Sequence, residues 1–329
     1  MSTIGNSNMT LADLAAQSEP SGGKLSDIVE LLRQKQPVID DIPWVQCNDG
    51  STHKSTVRTG LPAPTWRRLY GGIQPTKGTT AQIVDACGML EDLSEADVDL
   101  IDKSADPGKA RLNESRAHLQ GMAHTLASTI FYGDQSINPE RFTGLAPRFN
   151  SLAAQNADNI VSAGGVQTDN TSVWLVDWDE NTVHGLIPRG SVAGIQHHDE
   201  GIDWINDTAN SAARFKVYRD HFKLDAGFRV GDWRGVVRVP NIDISDLNTL
   251  ANTKNLITWM IQASERMDPV GNTVWYVNRT IREKLRLGIL EKIANNLTFE
   301  TVAGKRVMMF DGFEIKRCDA ILNTEAQVV

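Results

Sequence analysis

Four of the seven histidines, His184, His197, His198 and His221, fall in one stretch of the 329-residue chain, with Asp199 and Glu200 beside the middle pair. Imidazole and carboxylate groups are what zinc and similar ions bind, so a metal-dependent hydrolase is the first chemistry to weigh. The spacing does not support it: no HExxH pattern is present, and His197-His198 sits in a polar run, 196–210, that reads as an exposed loop. Asp177 and Asp179 could form a general acid/base pair. They flank Trp178 at the end of an apolar run, where acidic turns are common. Gly71-Gly72 and Gly164-Gly165 lack the GxGxxG and GxxxxGK patterns that cradle phosphates, and there is no GxSxG or Cys/His nucleophile arrangement. Cys47, Cys87 and Cys318 form no CxxC pair, so neither a zinc ribbon nor a redox motif is expected, and free thiols in a reducing compartment are the simplest account. Trp66-Arg67-Arg68 has the residue types that stack on nucleic acid. A net charge of −8 and the lack of a polybasic run favour a contact between subunits instead. The reading is a protein that is not an enzyme and needs no metal or cofactor.

The elements around these residues are those of a mixed α and β protein. Hydrophobic content of 40% and charged content of 22% are ordinary for a soluble globular chain. No apolar run approaches the ~18 residues of a membrane span, and no secretory segment is evident, so a soluble, unexported chain without membrane contact is expected. The longest predicted helix covers 110–132. Leu112, Leu119, Met122, Leu126 and Ile130 recur at helical spacing, Pro107-Gly108 stands ahead as a breaker and Gly133 ends it. Leu119, Met122 and Leu126 are expected to be its buried core face. Ahead of it, residues 25–36 carry a single apolar stripe, Ile28, Leu31 and Leu32, beside a Ser/Pro/Gly linker. So small a stripe cannot form its own core and must lie on other surfaces. Strands at 56–59 and 65–69, a turn at Tyr70-Gly71-Gly72 and a return strand at 79–84 predict a long two-stranded loop with little apolar surface. Such a hairpin is marginal alone, so outside contacts through Trp66, Arg67, Arg68 and Lys77 are expected. A short acidic helix capped by Ser94 follows it. After 172 the pattern is β, with the last strand of that region, 233–239, ended by Pro240. Beyond 246 it is α/β: helix 256–267, strand 274–277, a basic helix 280–290 capped by Asn278 or Thr280, and a hairpin about Asp311-Gly312.

Four stretches carry a resemblance. They are Thr56-Val57-Arg58-Thr59-Gly60-Leu61-Pro62, Phe142-Thr143-Gly144-Leu145-Ala146-Pro147-Arg148-Phe149, Asn278-Arg279-Thr280-Ile281-Arg282 and the run from Asp311-Gly312-Phe313 to Cys318-Asp319-Ala320-Ile321. Together, in this order, they resemble tailed-phage major capsid proteins of the epsilon-15-like group. The resemblance implies an α+β, Hong Kong 97-like fold with an altered strand order, since the segment 173–239 precedes the axial helices instead of closing the chain. The implied parts are an N-terminal arm at 1–43, an E-loop at 44–88, a peripheral domain with a spine helix at 89–160, and an axial or connecting β segment at 161–221. Long peripheral strands at 222–245 and an axial domain at 246–329 complete them. The implied function is self-assembly, as hexamers and pentamers, into an icosahedral virion shell around double-stranded DNA. Assembly would take place in the host bacterial cytoplasm, with portal, scaffold and decoration proteins as further partners. Some relatives cross-link Lys to Asn between neighbours. Lys54 and Lys77 lie in the E-loop, but no partner Asn or assisting acid matches, so a non-covalent shell is expected. A tail or decoration component is the alternative structural reading.

Overall fold

The computed structural model describes residues 36–104, 106–191, 194–207, 213–248, 250–290, 297–302 and 305–329. The arm residues Ile28, Leu31 and Leu32 lie outside them. The described residues gather into two compact units. One comprises 89–126 and 194–225; the other comprises 36–88, 127–191 and 226–329.

The larger unit is built on a mixed sheet. Strand β4 (Asn170–Trp178) is buried at all nine positions. It pairs antiparallel with β8 (Val236–Asp243) and β9 (Asn272–Val277), and parallel with β5 (Val183–Ile187). Beyond β9 come β12 (Phe313–Arg317), β11 (Lys305–Phe310) and β10 (Leu297–Val302). The period of two separates the faces. Val173, Leu175, Trp275, Val277, Val237 and Val239 pack with Leu256, Met260, Ile281 and Leu285 of the helices α5 (Leu250–Ser264) and α6 (Arg279–Leu290). The alternate residues Trp174 and Tyr276 face Phe131 and Phe149. Asn278 caps α6 by accepting from the Ile281 N–H at 2.8 Å. Asp311 and Gly312 take φ of 52° and 84°, the two left-handed positions of a tight hairpin turn between β11 and β12.

The smaller unit holds most of helix α3 (Pro107–Tyr132), about 39 Å long at 1.5 Å per residue. Pro107 does not stand ahead of this helix. It is the first helical residue, where its missing N–H costs nothing, and Asp106 caps it by accepting from Lys109 N–H at 3.0 Å. Met122, Leu126 and Ile130 are buried, Leu119 is half-buried and Leu112 is exposed. Gly133 is required by close approach rather than by a left-handed φ, since a Cβ there would lie 2.4 Å from the Phe142 carbonyl oxygen.

Three further expectations are corrected. Strand β3 runs from Thr79 to Asp97, absorbing the start of the expected acidic helix. Ser94 is buried in it, and Asp97 caps the remnant, α2 (Val98–Asp102). The polar run 196–210 is not a loop, because β6 (Gln196–Asn206) pairs with β7 (Arg214–Val230), with a bulge where Gly201 takes φ 78°. Pro240 does not end a strand either. Residues 233–235 form a 3₁₀ turn, and β8 continues through Pro240 because the β4 register slips there and Asn241 takes φ 61°.

Two buried positions test this packing. Leu126→Ala is expected to lower unfolding free energy by about 2–5 kcal/mol in denaturant titration of the unassembled chain. A change below about 0.5 kcal/mol would mean that the side chain contributes no more than a surface group. Glu325→Gln removes the charge facing buried Arg238 and is expected to cost about 3–5 kcal/mol in the same titration.

Candidate assembly surfaces

The hairpin of β2 (Thr52–Gly60) and β3 pairs Thr52 with Ala86 and continues in register to Arg58 opposite Thr80. Thr59 and Thr79 hydroxyls meet at 3.0 Å, and Gly60 and Gly78 let the two strands leave the ladder close together. Past that point the chain changes character. Residues 61–78 form no helix or strand, so the expected strand at 65–69 is absent: its Pro-rich start offers no ladder partner. A turn closes where Gly71 N–H donates to the Arg68 carbonyl, with Tyr70 at φ 62°. Trp66 is 104% exposed and Tyr70 103%; Leu61, Leu69 and Ile73 are also exposed. Arg67, Arg68 and Lys77 are exposed, and none makes an ion pair among the described residues. The residues singled out by sequence therefore sit on one projecting segment, with Leu61, Tyr70 and Ile73 beside them. Those three had no periodic pattern to flag them.

The root of the hairpin is fastened to the larger unit. Strand β1 (Trp44–Gln46) pairs parallel with β5. Asp85 in β3 is buried and accepts from Arg148 at 2.6 Å, which ties β3 to the Gly144–Phe149 motif. Beneath residues 56–61 an open cleft of about 870 Å³ is lined by Arg229, Trp233 and Arg234.

The smaller unit carries a second projecting hairpin, β6–β7, with Trp204 exposed and Lys216 over its ring at 5.2 Å. Here the histidines find their roles. His197 stacks on Phe222 at 4.8 Å and meets Asp220 at 2.9 Å; His221 meets Glu91 at 3.3 Å. Asp199 and Asp220 both hold Arg111, whose pKa they raise. Among the described residues no group of histidines, cysteines and carboxylates is arranged to hold a metal. The strand Glu91–Asp97 is acidic, and it makes contacts inside the unit: Asp92 with His118, Glu95 with Arg219, Glu91 with His221 and Lys223.

A third feature is basic. Arg279, Arg282 and Arg286 recur three and four apart on α6, and with Arg317 and Glu283 they line an open cleft of about 860 Å³. Arg317 is neutralised by Asp319 at 2.6 Å. Burial, and then the like charges of Arg286 and Arg317, lower the Arg282 pKa.

The family model described as "Major capsid protein GP7" matches residues 20–329. This chain belongs to that family. A chain in the structure of bacteriophage Epsilon15 is 36% identical, with 100% of this chain and 99% of that one covered at a TM-score of 0.75. More distant matches are the capsid of a native GTA particle (12% identity, 68% and 95% covered, TM-score 0.44) and the SrpI encapsulin of Synechococcus elongatus PCC 7942 (10%, 71% and 96%, TM-score 0.45). No curated protein matches. The fold is the Hong Kong 97-like capsid fold, and the protein is a major capsid protein that forms the phage shell and resides in the virion.

In this capsid protein the other polar residues serve the scaffold. Asp177 is buried and accepts from Val270 N–H, Gly271 N–H and the Thr273 hydroxyl, holding the entry to β9; Asp179 takes Asn181. No helix is long and apolar enough to cross a membrane among the described residues. His184 is buried beside Arg229 at 3.4 Å, with His53 edge-on to its ring. Burial, then the Arg229 charge, push its pKa from 6.5 down to about 4. The unfolded chain therefore binds a proton at His184 that the native chain refuses, and stability is lost as pH falls from about 6.5 toward about 4. The unassembled chain is expected to lose roughly 3 kcal/mol over that interval through this group. His184→Asn should flatten that part of the pH–stability curve measured by urea titration; an unchanged slope would place the acid sensitivity elsewhere.

Proposed function

We propose that residues 61–78 are the element by which each capsid subunit grips its neighbour, and that the shell is held by such contacts without covalent links between chains. The observation that carries this is the full exposure of Trp66 and Tyr70, with Leu61, Leu69 and Ile73 also bare, on a segment with no ladder of its own. An apolar patch of this kind marks an interaction site, and Trp, Tyr and Arg are the residue types that act as anchors. Burying one large apolar side chain on a neighbour contributes roughly 2–3 kcal/mol, and a closed shell repeats the contact in every copy.

In this reading 44–88 is the E-loop, rooted by β1 and Asp85, and 1–43 is an arm anchored by Ile28, Leu31 and Leu32. Residues 89–160 form the peripheral domain, whose spine helix buries Met122 and Leu126 and half-buries Leu119. Segments 161–221 and 222–245 are connecting and peripheral strands, and 246–329 is the axial domain. Arg67, Arg68 and Lys77 steer the loop onto a partner surface. The arginine cleft on α6 is a second contact, taking carboxylates of another copy, since an overall acidic subunit offers many. Hexamers and pentamers form in the host bacterial cytoplasm with portal, scaffold and decoration proteins, and enclose DNA by confinement rather than by charge. The protein performs no catalysis.

The test is Trp66→Ala with Tyr70→Ala, and separately Arg67→Glu with Arg68→Glu. Both are expected to keep the native circular dichroism spectrum and to cut particle yield, counted by electron microscopy, by about tenfold or more. Normal shells from the aromatic double variant would remove the loop as the grip. Lost helical signal would instead show that these residues support their own chain.

A further inference from the structure

Two cysteines meet at the root of the hairpin. Cys47 follows β1 and is 4% exposed; Cys87 lies in β3 and is half-buried. Their sulfurs are 3.4 Å apart across 40 residues of sequence, and neither is in a disulfide. The contact is held by backbone on both sides. Cys47 N–H donates to the Ile187 carbonyl at 2.8 Å, and Cys87 N–H donates to the Ser51 carbonyl at 3.0 Å. Gly227 supplies the room: a Cβ there would stand 2.7 Å from the Cys87 sulfur. A disulfide bond is about 2.05 Å long, so only a small further approach separates this pair from bonding.

We propose that Cys47 and Cys87 form an intrachain disulfide that locks the root of the 52–86 hairpin once the virion leaves the reducing host interior. The oxidant is a low-molecular-weight disulfide. The Cys87 thiolate attacks one sulfur of RSSR and releases RS⁻, which takes up a proton. The Cys47 thiolate then attacks the Cys87 sulfur of the mixed disulfide and releases the second RS⁻. Two protein thiols lose two electrons and two protons, and one RSSR becomes two RSH. Cys87 is the entry point because it is the more accessible. Cys47 is the resolving thiol, and burial raises its pKa, so it ionises little until the mixed disulfide brings the reaction to it. Cys318 is fully buried, its thiol pushed up to about 12, and takes no part.

The lock matters because the hairpin has no apolar core. Closing the chain from 47 to 87 restricts the detached states of the hairpin and leaves the tip free. The bond itself does not rest on the proposed docking of the tip. Only its effect on the shell does.

The experiment uses the full chain, as free subunits and as particles, incubated natively with glutathione disulfide, then denatured, alkylated without reduction and weighed intact. The expected product is lighter by two hydrogen atoms, carries one alkyl group, at Cys318, and yields a cross-linked peptide pair containing Cys47 and Cys87. Oxidised particles are expected to dissociate in urea about tenfold more slowly or better, an effect undone by dithiothreitol. Cys47→Ser and Cys87→Ala are expected to assemble and to show neither effect. Three alkylated cysteines, a glutathione adduct that persists on Cys87, or chain dimers on a non-reducing gel would each overturn the pair. A disulfide that forms without slowing dissociation would overturn the lock. The Trp66→Ala/Tyr70→Ala variant should still oxidise, so loss of docking and loss of the disulfide read out separately.

Discussion

The larger unit depends on one buried ion pair. Arg238 of β8 and Glu325 of the C-terminal segment are each 4% exposed in their side chains and meet at 2.7 Å. Neither charge could stay out of water alone, so the surroundings must satisfy every remaining lone pair and proton. The Arg238 Nε donates to the Ser172 hydroxyl and an Nη to the Phe149 carbonyl, and the guanidinium lies 4.9 Å over the Trp174 ring. Glu325 accepts from Tyr132 and Ser172. Tyr132 ends the spine helix, Phe149 ends the Gly144–Phe149 motif, and Ser172 lies in the central strand. One pair therefore fixes where five separate stretches of chain converge. Burial and the neighbouring carboxylate hold the Tyr132 hydroxyl well above its ordinary pKa, so it remains a donor at any physiological pH.

That arrangement explains what the outer parts lack. The sheet of the larger unit, with α5 and α6 on one side and Phe131 and Phe149 on the other, takes up the large apolar side chains. The β2–β3 hairpin alternates half-buried and exposed positions and ends in bare aromatics. A monomeric protein would cover or delete such a segment. A subunit that meets copies of itself in a shell can leave it open, and on the proposed docking the missing core is the neighbour's surface.

Legibility in the sequence followed locality. The Asp311-Gly312 turn, the Asn278 cap and the apolar face of α5 are set by residues within one or two turns of each other, and each was readable. The length of β3 was not, because Ser94-Glu95 reads as a helix start. What holds the chain extended is distant in sequence: the ladder of β3 with β7, and the pairing of Asp92 and Glu95 with His118 and Arg219, 26 and 124 residues away. Strand β6 shows no apolar alternation, since its residues are mostly exposed and its order comes from backbone pairing with β7. Arg238 and Glu325 stand 87 residues apart and carry no local signal of pairing. The loop residues Trp66, Arg67, Arg68 and Lys77 were legible as a surface for the opposite reason: their composition has no internal use.

The charge distribution sets how such subunits can come together. Each carries −8, so copies repel at long range, and the repulsion is screened beyond roughly 8–10 Å at physiological salt. In the smaller unit many acids are already matched, Glu95 and Asp203 by Arg219 and Asp220 by Arg111, so they add little to attraction between copies. Basic side chains sit on exposed or open features, Arg67 and Arg68 on the loop and Arg279, Arg282 and Arg286 on α6, while the −8 balance leaves carboxylates in excess. Salt then acts with two signs, weakening the repulsion between whole subunits and weakening these few attractions. The proposed apolar contact through Trp66 and Tyr70 is, by its chemistry, indifferent to screening. A shell held mainly by that grip tolerates a wide range of ionic strength, with its arginines selecting register more than supplying strength.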